Sequence, residues 1–356
     1  MTDLPTIRDV ARRAGVSVST ASLALNGKPR VNHLTRLRVL QSAEELGYHP
    51  HAAARQLADG RAHTVGLLSP ISLEHLFASS GFFSQLIKGM HRAAAERGYN
   101  LSLHIAESDQ EACSQIRTSS RGRSVDGFVI TNPSVTCPYL EDLRRLRVPH
   151  VFVGRPAGQA PFVDSDNVAV SRTGVKHLIE SGHRRIVFLS GPERFTFCQD
   201  RLLGYRMALQ ESGIPFDPGL VWQSEQVEEA AFQAVRQRAP AAEFTGMFAV
   251  SAIQAVGAVR ALRELSLRVP EDVAIVCVND SELARYFVPP LTTVDLREYW
   301  LGYWSAKRLL QLIEGDRSDH PILIPGKLVV RASSVRPGAD LDEGGDRRST
   351  QEAVSS

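Results

Sequence analysis

The amino-acid sequence predicts a small all-α helix-turn-helix headpiece followed by a larger α/β core of parallel sheets. Three observations lead there. Near the N-terminus two short helical patterns flank a lone glycine, Gly15. From about Thr64 onward, short β-rich runs alternate with helical stretches. Basic charge also collects at the N-terminal end. At 356 residues the chain exceeds one ordinary core, and two or three domains are expected. Its composition, 43% hydrophobic and 22% charged, suits a globular chain with a sizeable interior.

The charge asymmetry is modest but directional. Residues 1–61 hold nine Lys/Arg against five acids, a net +4, whereas the whole chain carries only +2. Gathered basic charge fits a polyanion partner, although a solvated basic surface fits the asymmetry alone equally well. Cys113, Cys137, Cys198 and Cys277 lie far apart with no C-x-x-C pair, so neither a disulfide framework nor a zinc site is expected. No basic start leads into an apolar stretch, and nowhere do 18 apolar residues run together. The expectation is a cytoplasmic chain with no membrane association. The motifs G-x-S-x-G, H-E-x-x-H, G-x-x-x-x-G-K-[ST] and G-x-G-x-x-G are absent, and the eleven histidines lack metal-ligand spacing. The sequence therefore predicts no enzyme, no metal and no cofactor.

In the headpiece, Thr6 is placed to cap a first helix, with Asp9 as its capping-box partner. Ile7, Val10, Ala11 and Ala14 repeat at helical spacing. Gly15 lets the backbone turn, Ser17 caps a second helix to about Leu25, and Asn26-Gly27 stops it. Such a pair fits a helix-turn-helix whose second helix enters a major groove, or equally a structural three-helix unit. A third helix runs from the Asn32 cap to about Leu46, with Leu37, Leu40 and Ala43 expected inward and Gly47 ending it. The alanine-rich segment at 51–59 is helix-capable but marginal on its own.

The order of motifs resembles a known family. T-I-x-D-V-A-x-x-A-G-V-S, then E-L-G-Y-x-P, then A-R-x-L are similar to the DNA-binding headpiece of the lactose/galactose repressor (LacI/GalR) family. V-D-G-F-V-I at 125–130, S-G-H-R-R-I at 181–186, R-L-L-G-Y at 201–205, R-V-P-E-D-V at 268–273 and P-P-L-T-T-V at 289–294 extend the resemblance along almost the whole chain. It implies a transcription regulator, most often a repressor, that binds a pseudo-palindromic operator in double-stranded DNA as a homodimer.

That resemblance assigns roles in the headpiece. Val18, Ser19 and Leu23 would read base edges, Ser19 by hydrogen bonding and the other two by apolar contact with thymine methyls. Leu23 has a second reading, as an inward packing residue. Thr6, Ser17, Thr20, Asn26 and Tyr48 would meet phosphates, which position the protein without reading sequence. Ala54 and Leu57 would occupy a hinge helix, with Leu57 wedged into the minor groove. An ordinary linker leucine is the alternative for Leu57.

Beyond residue 60, the runs T-V-G-L-L-S, L-S-L-H-I, G-F-V-I, H-V-F-V, R-I-V-F-L-S, M-F-A-V, V-A-I-V-C-V and K-L-V-V read as strands between helices. Sheets of this kind bind ligands at the carboxyl ends of their strands. The resemblance implies a periplasmic-binding-protein-like core of two lobes joined by three crossovers, with a small-molecule effector between them. One lobe would span 62–163 and 295–323, and the other 164–294 and 324–338. The tail at 339–356, rich in acidic, Gly, Arg and Ser residues, reads as disordered.

For the cleft, Arg201 aligns with the family arginine that binds effector oxygens, and one of Phe82 and Phe83 would face the ligand. The departures point in different directions. Ser251-Ala252 stands where the family usually has Asn-Asp, and Asn279 where it has Asp. Loss of those carboxylates suits an anionic ligand, while Glu298, placed where relatives put an aromatic ring, argues against one. A neutral sugar, a sugar acid, a phosphorylated metabolite and a cleft without an effector all remain open at this point, as does whether an effector releases the DNA or supports binding.

Overall fold

The capping residues and glycines fix the headpiece helices. In the computed structural model, which describes residues 5–25, 30–48, 60–72, 74 and 80–335, α1 spans Ile7–Ala14, α2 Val18–Leu25 and α3 His33–Leu46. The Thr6 N–H donates to Asp9 Oδ2 at 2.9 Å, and Gly15 turns the chain at φ +64°. Ser17 Oγ accepts the Thr20 N–H at 3.1 Å, Asn32 Oδ1 accepts the Thr35 N–H at 2.8 Å, and Gly47 closes α3 at φ +62°. Val10, Ala14, Ala21, Ala24 and Val39 form a core of mostly small residues, which lets three short helices approach closely. Arg13 Nε reaches Glu45 at 2.8 Å across α1 and α3.

One expectation about α3 is corrected. It turns Val39, Ser42 and Ala43 inward, while Leu37 and Leu40 are 50% and 44% exposed. The packed stripe is displaced one position from the leucines because the close-packed core accepts small side chains better than leucine. The expected hinge at 51–59 and the tail lie outside the described residues.

From Thr64 the chain lays down β1 (Thr64–Ser69), β2 (Asn100–Ile105), β3 (Gly127–Thr131), β4 (His150–Val153) and β5 (Phe162–Ser165), with α4 (Ser80–Ala95), α5 (Asp109–Arg121) and α6 (Tyr139–Arg145) between them. It then crosses to a second lobe. There α7 (Asn167–Glu180), β6 (Ile186–Ser190), α8 (Thr196–Glu211), β7 (Val221–Gln223), α9 (Glu228–Arg238), β8 (Gly246–Ala249), α10 (Ala252–Glu264), β9 (Ala274–Val278), α11 (Glu282–Tyr286) and β10 (Thr292–Asp295) follow. α12 (Glu298–Glu314) and β11 (Ile322–Ile324) return to the first lobe, and β12 (Lys327–Val329) to the second.

The sheets order as β11-β5-β4-β3-β1-β2 and β12-β10-β9-β8-β6-β7. Central strands such as β3, β6 and β9 are buried along their whole length, as strands covered by helices on both faces must be. Pairing is parallel except at β12, which runs antiparallel to β10. The strands that the sequence did not reveal are β5, β7, β10 and β11. Each is three or four residues long, and three of them carry polar residues.

The expected lobe boundaries shift slightly. Asp164 and Ser165 still pair with Leu323 and Ile324 in the first sheet, and Asp295 pairs with Lys327 in the second. The crossings therefore fall after 165, after 295 and after 324, because backbone pairing carries each strand one or two residues past the expected boundary. Among the described residues no helix is long and apolar enough to cross a membrane. The four cysteines are free thiols, and three of them are buried.

Lobe one depends on a glycine contact between distant helices. A Cβ on Gly89 of α4 would collide with the Tyr299 carbonyl of α12, and one on Gly302 would collide with the Leu86 carbonyl. Backbone meets backbone there, so neither position has room for a methyl group. Gly89→Ala is expected to cost about 1–3 kcal/mol through overpacking. An unchanged urea-denaturation midpoint would contradict that packing.

Candidate functional site

On the headpiece, Val18 and Ser19 stand exposed on α2, as a surface-reading helix requires. Leu23 is half-buried and packs against the headpiece core, so its second reading accounts for much of its surface. Thr6 is exposed, with its hydroxyl donating to Asp9 at 2.7 Å. The Ser17 and Thr20 hydroxyls bond each other at 2.8 Å. Tyr48, expected at a phosphate, is only 8% exposed because its ring completes the headpiece core. Asn26, Ala54 and Leu57 lie outside the described residues.

Between the lobes lies a cavity of about 520 Å³. It opens at the carboxyl ends of the strands, where strand-to-helix turns from both sheets converge. Asp164 is the penultimate residue of β5, and Asn167 begins α7 behind the Asp166 cap, whose Oδ1 accepts the Ala169 N–H at 2.9 Å. Asn167 Nδ2 donates to both Asp164 oxygens at 3.1 Å, and Asn167 Oδ1 accepts Arg201 Nε at 2.9 Å. Arg201 Nη1 donates to the Val250 carbonyl at 2.6 Å, and its guanidinium lies 4.9 Å from the centre of the Phe197 ring. Asp164, Asn167 and Arg201 thus form one hydrogen-bonded row at the cavity wall.

Phe82 and Phe83 both line the cavity, in edge-to-face contact at 5.3 Å. Phe83 is also part of the lobe-one core, whereas Phe82 is half-buried. Phe195 and Phe197 stack at 5.5 Å on the facing lobe. Aromatic walls with a few convergent polar groups are the usual make-up of a small-molecule site.

The departures noted in the sequence resolve into local chemistry. Asn279 lines the cavity in the left-handed region, at φ +82°, which asparagine tolerates better than most residues. Its Nδ2 donates to Glu298 Oε1 at 2.9 Å. Glu298 does not line the cavity; it is 6% exposed behind Asn279. An aspartate at 279 would face a buried carboxylate, so the two departures form one compatible pair. Ser251 lines the cavity and caps α10, its hydroxyl donating to Gln254 Oε1 at 3.0 Å. Asp164, Asn167, Phe195, Phe197 and Gln226 are lining residues that the sequence reading missed. F-V-D-S-D-N carried a usable signal, since it puts a carboxylate at a strand's carboxyl end just before a helix, but a four-residue strand is easily overlooked.

Burial pushes the Asp164 carboxyl up to about 7, although Arg201 and the Arg155 and Ser165 N–H groups oppose the rise. Glu298 is raised to about 7 by the same cause, opposed by its bond from Asn279. Asp280 goes the other way: the bonds from Arg331 and Thr293 outweigh its burial and hold it below the usual carboxylate range.

Comparison with known proteins places this architecture. A model described as "Bacterial regulatory proteins, lacI family" matches residues 6–51, and a periplasmic binding protein-like domain matches 175–334. The HTH-type transcriptional regulator CelR of Thermobifida fusca is 34% identical over 337 residues, 92% of this chain and 98% of that protein. The chain belongs to the LacI family. The ribose operon repressor of Escherichia coli strain K12 is 32% identical over 318 residues, covering 87% of this chain and 93% of its own. Among solved structures, a CelR–cellobiose complex matches with TM-score 0.73 at 33% identity, covering 93% of this chain and 100% of that one. A lac repressor dimer bound to operator and the anti-inducer ONPF matches with TM-score 0.79 at 26% identity, covering 94% and 100%. This LacI-family member is thus a helix-turn-helix transcriptional regulator with a two-lobe periplasmic-binding-protein-like core, and its relatives are regulators rather than enzymes.

The raised acids predict a pH response of stability. An acid whose folded pKa is raised holds its proton in the folded chain after the unfolded chain has released it. Between the ordinary carboxylate range and about pH 7, stability should therefore fall as pH rises, levelling above the raised pKa. Asp164→Asn should shallow this slope in urea denaturation, and adding Glu298→Gln should shallow it further. A slope identical to the parent's in both variants would show that these acids are not perturbed.

Proposed function

We propose that this regulator is a cytoplasmic repressor that binds a pseudo-palindromic operator as a homodimer and responds to a neutral carbohydrate in the interlobe cavity. The observation that carries the effector half is the lack of spare positive charge at the cavity, where Arg201 and Arg285 stand against Asp164, Glu225, Asp280 and Glu282. Of its two lining arginines, Arg285 pairs with Asp280 at 2.9 Å, and buried Arg201 already donates to Asn167 and to the Val250 carbonyl. An anionic ligand would find no uncommitted cation there. A polyol would find alternating donors and acceptors in Asp164, Asn167 and Arg201, with aromatic faces for its apolar side. The relatives bear on the class: CelR is solved with cellobiose, and a LacI-family regulator of Enterococcus faecium with ribose.

For the DNA half, exposed Val18 and Ser19 are the base-reading residues of this proposal, with the free edge of Leu23 beside them. Thr6, Ser17, Thr20 and Asn26 contact phosphates, and Ala54 and Leu57 enter the minor groove as in the family. Self-association is supported by apolar surface on lobe two, where Tyr286 at the end of α11 and Val288 just beyond it are 80% and 72% exposed. It accords with the dimeric lac repressor that the fold matches.

Two measurements test the reading. Thermal shift across neutral mono- and disaccharides, sugar acids and sugar phosphates should give hits among the neutral sugars, and those hits should change operator affinity in fluorescence anisotropy. Stabilisation confined to sugar phosphates would overturn the neutral-ligand assignment. Separately, Leu57→Ala should weaken binding to a palindromic operator at least tenfold, about 1.4 kcal/mol, while binding to random DNA stays nearly constant. Equal loss on both DNAs would remove Leu57 from the recognition mechanism.

A further inference from the structure

Arg155 follows β4, where lobe one comes into contact with lobe two. Its N–H donates to Asp164 Oδ2 at 3.0 Å, and its carbonyl accepts the Thr196 hydroxyl at 2.7 Å. Its guanidinium takes Asp200 by two bonds, Nε to Oδ2 at 3.0 Å and Nη2 to Oδ1 at 2.7 Å. Arg155 and Asp164 belong to the first lobe, whereas Thr196 and Asp200 lie on α8 of the second. Asp164 accepts from Asn167, Asn167 accepts from Arg201, and Arg201 follows Asp200 directly along α8. The contacts therefore close into a circuit that runs from Arg155 through Asp164, Asn167, Arg201 and Asp200 back to Arg155.

A second contact between the lobes runs beside it. Ser134 of lobe one and Phe195 of lobe two form an antiparallel bridge, and the Val135 N–H donates to the Arg194 carbonyl at 2.8 Å. That bond spans the interface and can persist only while the lobes are together, so the Val135 amide reports on their separation.

We propose that the Arg155–Asp200 pair is an interlobe clasp that favours the arrangement in which the lobes meet, and that it positions Asp164 and Arg201 for the ligand. The assignment of the cavity as the effector site comes from the preceding section, but the clasp does not depend on which ligand enters. A bidentate arginine–carboxylate pair has fixed geometry, and the Asp200 side chain is mostly shielded from water while Arg155 is half-exposed. Such a pair biases an open–closed equilibrium modestly, and any ligand bound to Asp164 or Arg201 acts on the same circuit. A ligand that prefers the closed cavity then binds with an affinity scaled by the closed fraction.

The test is amide hydrogen exchange on the full-length, ligand-free protein, comparing the parent with R155Q, D200N and the double variant. The Val135 amide should exchange about fivefold faster in each single variant, the scale of a half-exposed ion pair. The double variant should match the singles, because all three lose one shared contact. Amides of β3 and β6 should keep the parent rates, which separates opening of the lobes from general loosening. Parent-like exchange at Val135 in either single variant would overturn the clasp. So would additive acceleration in the double variant, or equal acceleration in β3 and β6. No ligand enters the experiment, so its failure leaves the repressor reading intact, and a fruitless effector screen leaves the clasp intact.

Discussion

Arg201 is a permanent cation held almost out of reach of water, 5% exposed, and a charge so placed has to be met by fixed acceptors. Asn167 and the Val250 carbonyl supply them directly, and the Asp164 carboxylate lies one hydrogen bond further along. Meeting that demand brings together the start of α7, the end of β5, the end of β8 and the side of α8. These are the strand ends and helix starts that surround the cavity. The shape of the site and the solvation of one guanidinium are in this sense a single constraint.

The same economy governs the residues that depart from the family pattern. Taken separately, Asn279 and Glu298 gave opposite indications about the ligand. In the fold they bond to each other, and Glu298 is a buried supporting group rather than a ligand contact. Ser251 likewise closes a helix terminus and engages buried Gln254, whose amide reaches the Ser190 carbonyl at 3.0 Å. Side chains at the rim of a cavity often answer first to the backbone and to each other.

What was legible in the sequence follows from how local its cause is. Thr6, Gly15, Ser17, Asn32 and Gly47 act on neighbours within a few residues, so caps and turns were readable from the chain alone. Long apolar strands such as β6 and β9 carry their own signature. The short strands β5, β7, β10 and β11 exist because neighbouring strands pair with them, and nothing local announces that. Arg201, Phe82, Phe83, Ser251 and Asn279 were reached through family resemblance and do line the cavity, whereas Asp164 and Asn167 were missed because their strand is so short. Glu298 failed as a ligand residue because only the three-dimensional fold shows Asn279 in front of it. Leu37 and Leu40 misled for a related reason: helical spacing gives the stripes of a helix but not which stripe faces the core.

The glycine contact between α4 and α12 has a consequence for how the molecule is made. A ribosome delivers α4 early, and the surface that Gly89 presents can find Gly302 only after the whole second lobe has emerged. Until then lobe one lacks both α12 and its edge strand β11, and the apolar face of α4 is uncovered. Nonlocal pairing of this kind slows folding and leaves sticky intermediates. The second lobe lacks only its short edge strand β12 and the turn after it, where Arg331, Ser333 and Ser334 bond to Asp280, Ile275 and Thr292, so it is the part able to consolidate first, even though it comes later in the chain.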